Sequence, residues 1–255
     1  MPLDIDKLLA RRPQNKIYYF PTLGSTMAEA TRLATSGAPH GTIVLADEQT
    51  QGVGRLGRAW QSQSEVGIYC SILLRLPLAP ASLPVASLLL GLATVEAVQK
   101  STQLACDLRW PNDVLINERK VAGILTHLVD ACIVAGIGIN VNQAVMPTGF
   151  RTPATSLRME SDGRVQSREE IVANLLESLD VFCSMLTTEG TPSILRIFSS
   201  ASSYAINRRV IVEESGARGL TAGLDENGFL LVQSDAGRIE RVATGGVRPD
   251  YQFGV

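Results

Sequence analysis

The sequence predicts an α+β protein: a mixed sheet flanked by helices, followed by a small C-terminal β-barrel. Three observations point there. β-rich runs and helical segments alternate up to about residue 205. From Asn207 onward the texture changes to four or five short strands, punctuated by glycine turns. Hydrophobic residues make up 45% and charged residues 19% of the 255, enough apolar material for a sizeable core and too much for wholesale disorder. The division this suggests is a large unit over 1–206 and a small one over 207–255.

Each element has its own signal. Thr26 to Thr35 reads as a helix, with Thr26 and Glu29 at capping-box spacing and Gly37 as a left-handed exit. Gly41 to Ala46 and Ile68 to Leu74 are β-rich. Leu83 to Val98 is the most apolar segment; it is short for a membrane span and contains Pro84, Thr94 and Glu96, so it reads as a buried core helix. Asp107-Leu108-Arg109-Trp110 and Asp113-Val114-Leu115-Ile116 precede turn material at Asn117-Glu118-Arg119, and Lys120 to Leu125 returns as a hairpin partner. Cys132 to Val141 is a further apolar strand. Ser167 with Glu170 opens a helix in which Ile171, Leu175, Leu179, Phe182 and Leu186 recur at helical spacing, and Gly190 ends it. Strands are expected at 209–213, 219–224, 228–233 and 239–243.

Composition excludes several functions. Net charge is −2, which does not advertise the basic face that general phosphate-backbone binding requires. The four cysteines form no CxxC pair and sit in apolar runs, and only His40 and His127 accompany them, so neither a disulfide framework nor a fixed metal site is expected. The polar N-terminus is no signal peptide. The expected setting is the cytoplasm, without membrane or DNA partners.

Gly52-Val53-Gly54-Arg55-Leu56-Gly57 matches GxGxxG, but Arg58-Ala59-Trp60-Gln61-Ser62 shows no helical periodicity after it. The strand–turn–helix context of a dinucleotide site therefore fails. What remains is a loop of exposed amides with Arg55 and Arg58, suited to phosphate or carboxylate, or else a solvated surface loop. By residue type alone Arg109-Trp110-Pro111-Asn112-Asp113 is ordinary turn chemistry. The glycines of Gly136-Ile137-Gly138 mark either close approach of a ligand or a bulge.

The order of these pieces is more specific than any one of them. Ser25-Thr26, Asp47-Glu48-Gln49-Thr50, the glycine-arginine loop ending in Trp60, Arg109 to Asp113, Lys120 to Leu125, Gly136 to Asn142, Ala154-Thr155-Ser156-Leu157 and Gly246-Val247-Arg248-Pro249 together resemble the biotin protein ligase family across nearly the whole chain. The resemblance implies a biotin/lipoate ligase-like catalytic domain with an SH3-like C-terminal barrel. It also implies joining of biotin to ATP, with magnesium, to give biotinyl-5′-AMP, and transfer of biotin to a lysine of a biotin carboxyl carrier protein. By that resemblance Lys120 and Arg55 are the catalytic pair. Ser25, Thr26, Gln49, Gly52, Gly54, Trp60, Gly123, Gly136 and Gly138 join them around biotin. Arg58, Trp110, Asn112, Asn140 and Arg248 join Arg55 on the nucleotide side. Val53 replaces an arginine of the family pattern, and Met27 stands where asparagine is common. Only 24 residues precede Ser25, too few for the DNA-binding domain of bifunctional relatives. A lipoate or octanoyl transferase and a catalytically silent biotin-binding module are the competing readings; monomer and homodimer both stay open.

Overall fold

The computed structural model describes residues 1–251, so the last four residues of the expected C-terminal unit lie outside the described residues. Seven strands form one sheet in the order β1-β2-β3-β7-β6-β5-β4: β1 Ile17–Leu23, β2 Ile43–Gln49, β3 Gly67–Leu74, β4 Asp107–Arg109, β5 Asp113–Ile116, β6 Arg119–Val129 and β7 Cys132–Asn140. β1 and β2 are parallel and all other neighbours antiparallel, giving the expected mixed sheet. Asn117 and Glu118 both have positive φ, 50° and 60°, and close the β5–β6 hairpin as a two-residue turn.

Alternation along the strands sends side chains to two apolar layers. Ile43 and Leu45 of β2 join the larger core beneath the long helices, α3 Leu83–Thr102 and α5 Arg168–Glu189, while Val44 joins a smaller cluster under α2 Thr26–Thr35. α3 runs four residues past the expected Val98. It and α5 are long and apolar enough to cross a membrane, yet both bury their apolar side chains against each other and the sheet. Ser167 caps α5 as expected, its Oγ accepting from Glu170 N at 3.3 Å. α2 departs from expectation: its cap position is Ser25, not Thr26, and no side chain caps it locally. Instead Gln49 Oε1 accepts from Thr26 N at 2.8 Å, across from the end of β2. Helices α1 Ile5–Arg11, the short α4 Leu157–Glu160 and α6 Thr191–Ala201, and strand β1, complete this part.

β8 Ile206–Val212, β9 Arg218–Leu224, β10 Leu230–Ser234, β11 Ile239–Val242 and β12 Val247–Pro249 form a second, antiparallel sheet in the order β11-β10-β9-β8-β12. Its apolar face is not a separate core. Val210, Leu230, Val232 and Val247 belong to the same buried cluster as Leu88, Leu108 and Trp110. Trp110 Nε1 donates to Gly228 O at 2.9 Å, a buried bond across the seam. Gly228 has φ +84°, and a Cβ there would lie 3.2 Å from Val85 Cγ2 and 3.3 Å from Leu88 Cδ1, so glycine is what lets this turn approach α3.

A chain ended before Ile206 is therefore expected to lose cooperativity. Uncovering a large apolar side chain such as Leu88 or Trp110 costs roughly 1.5–3 kcal/mol each, against a typical total margin of about 5–15 kcal/mol. Calorimetry of the truncated protein should show a broad transition, or one at least about 10 °C lower. A sharp transition at the full-length temperature would contradict a shared core.

Candidate active site

The loop after β2 folds back on itself. Trp60 N donates to Gly52 O at 2.9 Å, Gly54 N donates to Arg58 O at 2.7 Å, and Val53 bridges Ala59 as an antiparallel pair. The tip is a short turn in which Leu56 and Gly57 have φ 57° and 70°. No helix follows, in keeping with the rejected dinucleotide reading. This small hairpin carries Arg55 inward and swings Trp60 over the sheet.

Trp60 lies on strand positions that have no side chain. A Cβ on Gly138 would meet Trp60 Nε1 at 2.6 Å, and one on Gly123 would meet Trp60 Cζ3 and Lys120 Nζ at 3.0 Å each. A Cβ on Gly136 would strike Met27 Sδ at 2.7 Å. These glycines are thus required by close approach, but the approaching groups are the protein's own indole and thioether rather than the ligand or backbone that the sequence reading of Gly136 and Gly138 allowed.

Lys120 is held at both ends. Its backbone N donates to Pro153 O at 2.8 Å and its carbonyl accepts from Thr155 N at 2.9 Å. Its Nζ lies 2.5 Å from Asp113 Oδ1 and 5.4 Å from the Trp60 ring centre. Asp113, whose side chain is 14% exposed, also pairs with Arg109, and Arg109 Nη2 donates to Thr152 Oγ1 at 2.7 Å. Burial pushes the Asp113 carboxyl up, but the charges and hydrogen bonds of Lys120 and Arg109 outweigh this and hold it below its ordinary value of 3.8. Its contribution to stability is therefore present above pH about 4 and lost as pH falls through the lowered value.

Asn112 sits between strand and loop. Its Nδ2 donates to Ile124 O at 2.9 Å, and its Oδ1 accepts from Arg55 Nη1 at 3.1 Å. Burial draws the Arg55 guanidinium below its ordinary value, offset in part by Asp113 and Glu213. It remains a cation, as guanidinium always does in proteins, and one short of solvent.

Two connected spaces meet at Arg55, Trp60, Asn112 and Lys120. The smaller, about 50 Å³, runs under Trp60 and is also lined by Thr26, Gln49, Gly123, Gly136 and Gly138. At its polar end, Gln49 Oε1 accepts from Thr26 N and Oγ1 at 2.8 and 3.0 Å, while Gln49 Nε2 donates to Ser62 Oγ at 2.8 Å. Ser71 Oγ donates to Thr26 Oγ1 at 2.9 Å. The Trp60 Nε1 and Ser25 Oγ atoms are buried and, among the described residues, have no hydrogen-bond partner. The larger space, about 490 Å³, opens between the two sheets, with Arg58, Trp110 and Asn140 on its wall. Five cations (Arg55, Arg58, Arg109, Lys120, Arg151) and two carboxylates (Asp113, Glu213) line it, so its field favours an anion.

Most of the expected residues converge on these spaces. Gly52 and Ser25 are not on the walls: one is in the loop's hairpin, the other at the N-cap position of α2, where its side chain makes no cap bond. Asn140 lines the larger space, but its Nδ2 is bonded to Thr155 O at 3.0 Å. Trp110 is buried, and its N–H is used across the seam. Arg248 is the exception. Alternation along β12 turns Val247 inward, and Arg248 is exposed and absent from the cavity wall. Sequence reasoning missed Asp113, Arg109, Arg151 and Glu213 as site residues. The first two lay inside a motif read as a turn; the last two have no local pattern at all. Among the described residues no group of three His, Cys, Asp or Glu gathers as a metal site.

Comparison with known proteins gives this geometry a setting. The profile of the Biotin/lipoate A/B protein ligase family matches residues 19–143. The bifunctional ligase/repressor BirA of Bacillus subtilis is 33% identical over 229 residues, 87% of this chain and 70% of that protein. A biotin–[acetyl-CoA-carboxylase] ligase of Mycobacterium tuberculosis is 32% identical over 88% of this chain and 85% of its own length. The structure of the Aquifex aeolicus biotin protein ligase in complex with biotin and ATP superposes with a TM-score of 0.78 at 31% identity, over 91% of this chain and 97% of that one. Sequence and fold agree: the chain belongs to the biotin protein ligase family.

Proposed function

We propose that this protein activates biotin with ATP, forming biotinyl-5′-AMP and pyrophosphate, and passes the biotinyl group to a lysine of a carrier protein of a biotin-dependent carboxylase. The observation that carries the reading is the junction of the two spaces, where Lys120 Nζ and the Arg55–Asn112 pair face both. A carboxylate in the small pocket and a nucleotide phosphate in the large cavity would meet at these cations.

The chemistry needs little proton transfer at first. A biotin carboxylate oxygen attacks the α-phosphorus and pyrophosphate leaves; both reactants are anions, so positioned cations lower the barrier. Lys120, fixed by Asp113, is a point charge at the reacting oxygens, and Arg55 grips the phosphate. In the second step the carrier's amine attacks the acyl carbon, AMP departs, and the amine loses its proton. Magnesium enters with ATP as its chelate. The reading divides the chain into a catalytic part over 1–206 and a part over 207–255 that closes the nucleotide side. Four unpaired cysteines, with burial raising the Cys70 thiol to about 12, support a reducing, cytoplasmic setting.

Lipoate is the rival substrate, and the polar cluster at the small pocket speaks against it. Gln49 and Thr26 line that pocket, bonded to Ser62 and Ser71, and bring donors and acceptors together, which a cyclic urea uses and a dithiolane ring does not. Incubation with biotin, ATP and magnesium, followed by mass spectrometry of the bound molecule, should return biotinyl-5′-AMP. Recovery of lipoyl-AMP from an equal mixture, or of no adenylate, would overturn the reading.

Lys120→Ala should lower the rate of biotin-dependent pyrophosphate release by about 100-fold or more, the scale seen on removing one charge-stabilising donor. It should also cost about 1–2 kcal/mol of stability, since Asp113 is left with Arg109 alone. Near-wild-type release from a folded variant would remove Lys120 from the reaction.

Arg55→Gly should weaken retention of biotinyl-5′-AMP about ten- to a hundredfold while biotin affinity changes much less, because the guanidinium–phosphate contact exists only once the phosphoryl group is attached. Calorimetric titration with each ligand checks this; equal losses for both would refute the role.

A further inference from the structure

Among the described residues Glu213 is the one carboxylate that the chain beyond β8 places on the wall of the larger cavity. It follows directly on β8, its backbone N donating to Gly246 O at 2.9 Å, and its side chain is 13% exposed. Two guanidinium groups approach it from separate loops, Arg58 Nη2 at 3.9 Å and Arg151 Nη1 at 3.7 Å from Oε2. Those arginines are 58% and 57% exposed. Such long, wet ion pairs contribute little to stability and exchange readily.

We infer that Arg151 is a phosphate-binding residue of the nucleotide site, and that Glu213 is a positioning residue competing with the phosphates for Arg151 and Arg58. The inference rests on the ATP-dependent reading above. A triphosphate brings up to four negative charges where Glu213 offers one, and guanidinium–phosphate pairs can be bidentate, so the arginines transfer to the nucleotide when it enters. Glu213 then stands beside like charge. When pyrophosphate departs, the carboxylate retakes the guanidinium groups, which favours release over rebinding. The pair thus parks the arginines at the cavity mouth without letting them hold product.

Competition and structural support differ in sign. If the ion pair only braced the loops, removing either partner would harm nucleotide binding. If Glu213 competes, its removal helps where removal of Arg151 hurts. The test uses the full chain and begins with biotin-dependent pyrophosphate release by the wild type; its absence would overturn the ATP reading and this inference with it. Given that activity, ATP KM and competitive inhibition by inorganic pyrophosphate are measured for Arg151→Met, Arg151→Lys and Glu213→Gln. Arg151→Met is expected to raise both constants about tenfold, with Arg151→Lys in between, the loss of one exposed charge-assisted contact. Glu213→Gln is expected to lower both about threefold. Calorimetric biotin affinity should stay within about twofold in every variant. Shifts of the same sign at both positions would make the pair a brace and overturn the inference. A raised ATP KM in Glu213→Gln that excess magnesium restores would reassign the carboxylate to the metal chelate, and no change at either position would leave both groups as solvated surface charge.

Discussion

Asp113 is the constraint around which the site is built. Its carboxylate is largely removed from water and is stabilised by two cations, Lys120 from β6 and Arg109 from β4, on either side of its own strand β5. Deleting either partner leaves a buried charge poorly compensated, so β4, β5 and β6 at this edge of the sheet are bound to one register. Arg109 extends the hold to Thr152, and the backbone of Lys120 pairs with Pro153 and Thr155. The segment that covers the larger cavity is thereby tied to the same centre. What looks like a salt bridge on an edge hairpin is the part that holds Lys120 at the junction of the two spaces.

A second dependence runs through the glycines. Gly123 and Gly138 clear room for the Trp60 indole, and the indole in turn roofs the smaller pocket. The pocket is small because the protein fills it with Trp60 and Met27, both of which can turn about their χ angles. Backbone glycine is fixed; the side chains lying on it are not. A bulkier occupant of this pocket can therefore be admitted by rotamer changes that leave the sheet in place.

Much of this was legible from sequence because the signals were local. The Asn117-Glu118 turn, the Ser167 cap and the period of α5 each announce themselves within a few residues. The chain from Ile17 to Leu23 did not, since Pro21 interrupts a run that survives as a strand only at the sheet's edge, where one missing donor is tolerated. Thr26 and Glu29 imitated a capping box, yet Gln49 supplies the acceptor from a neighbouring strand. Arg248 was placed by motif; the pleat of β12 leaves its side chain exposed beside the cavity, off its wall. Glu213 and Arg151 could not be read at all, because their meeting depends on how the second sheet lies against the first. Long-range charge pairing leaves no periodic trace.

The indole of Trp110, bonded to the carbonyl of Gly228 and sunk in a core common to both sheets, has a consequence for how substrates come and go. A seam of that kind does not hinge: swinging one sheet from the other would expose apolar surface on both sides at once. Traffic into the space between them is left to the lightweight parts, the 52–60 hairpin with Arg55 and Arg58 and the chain around Met146 to Thr152 with Arg151. The scaffold can then be stiff and heat-resistant without being slow. Adaptation of such an enzyme to a colder or hotter habitat would be written in two short loops, while its core stayed as it is.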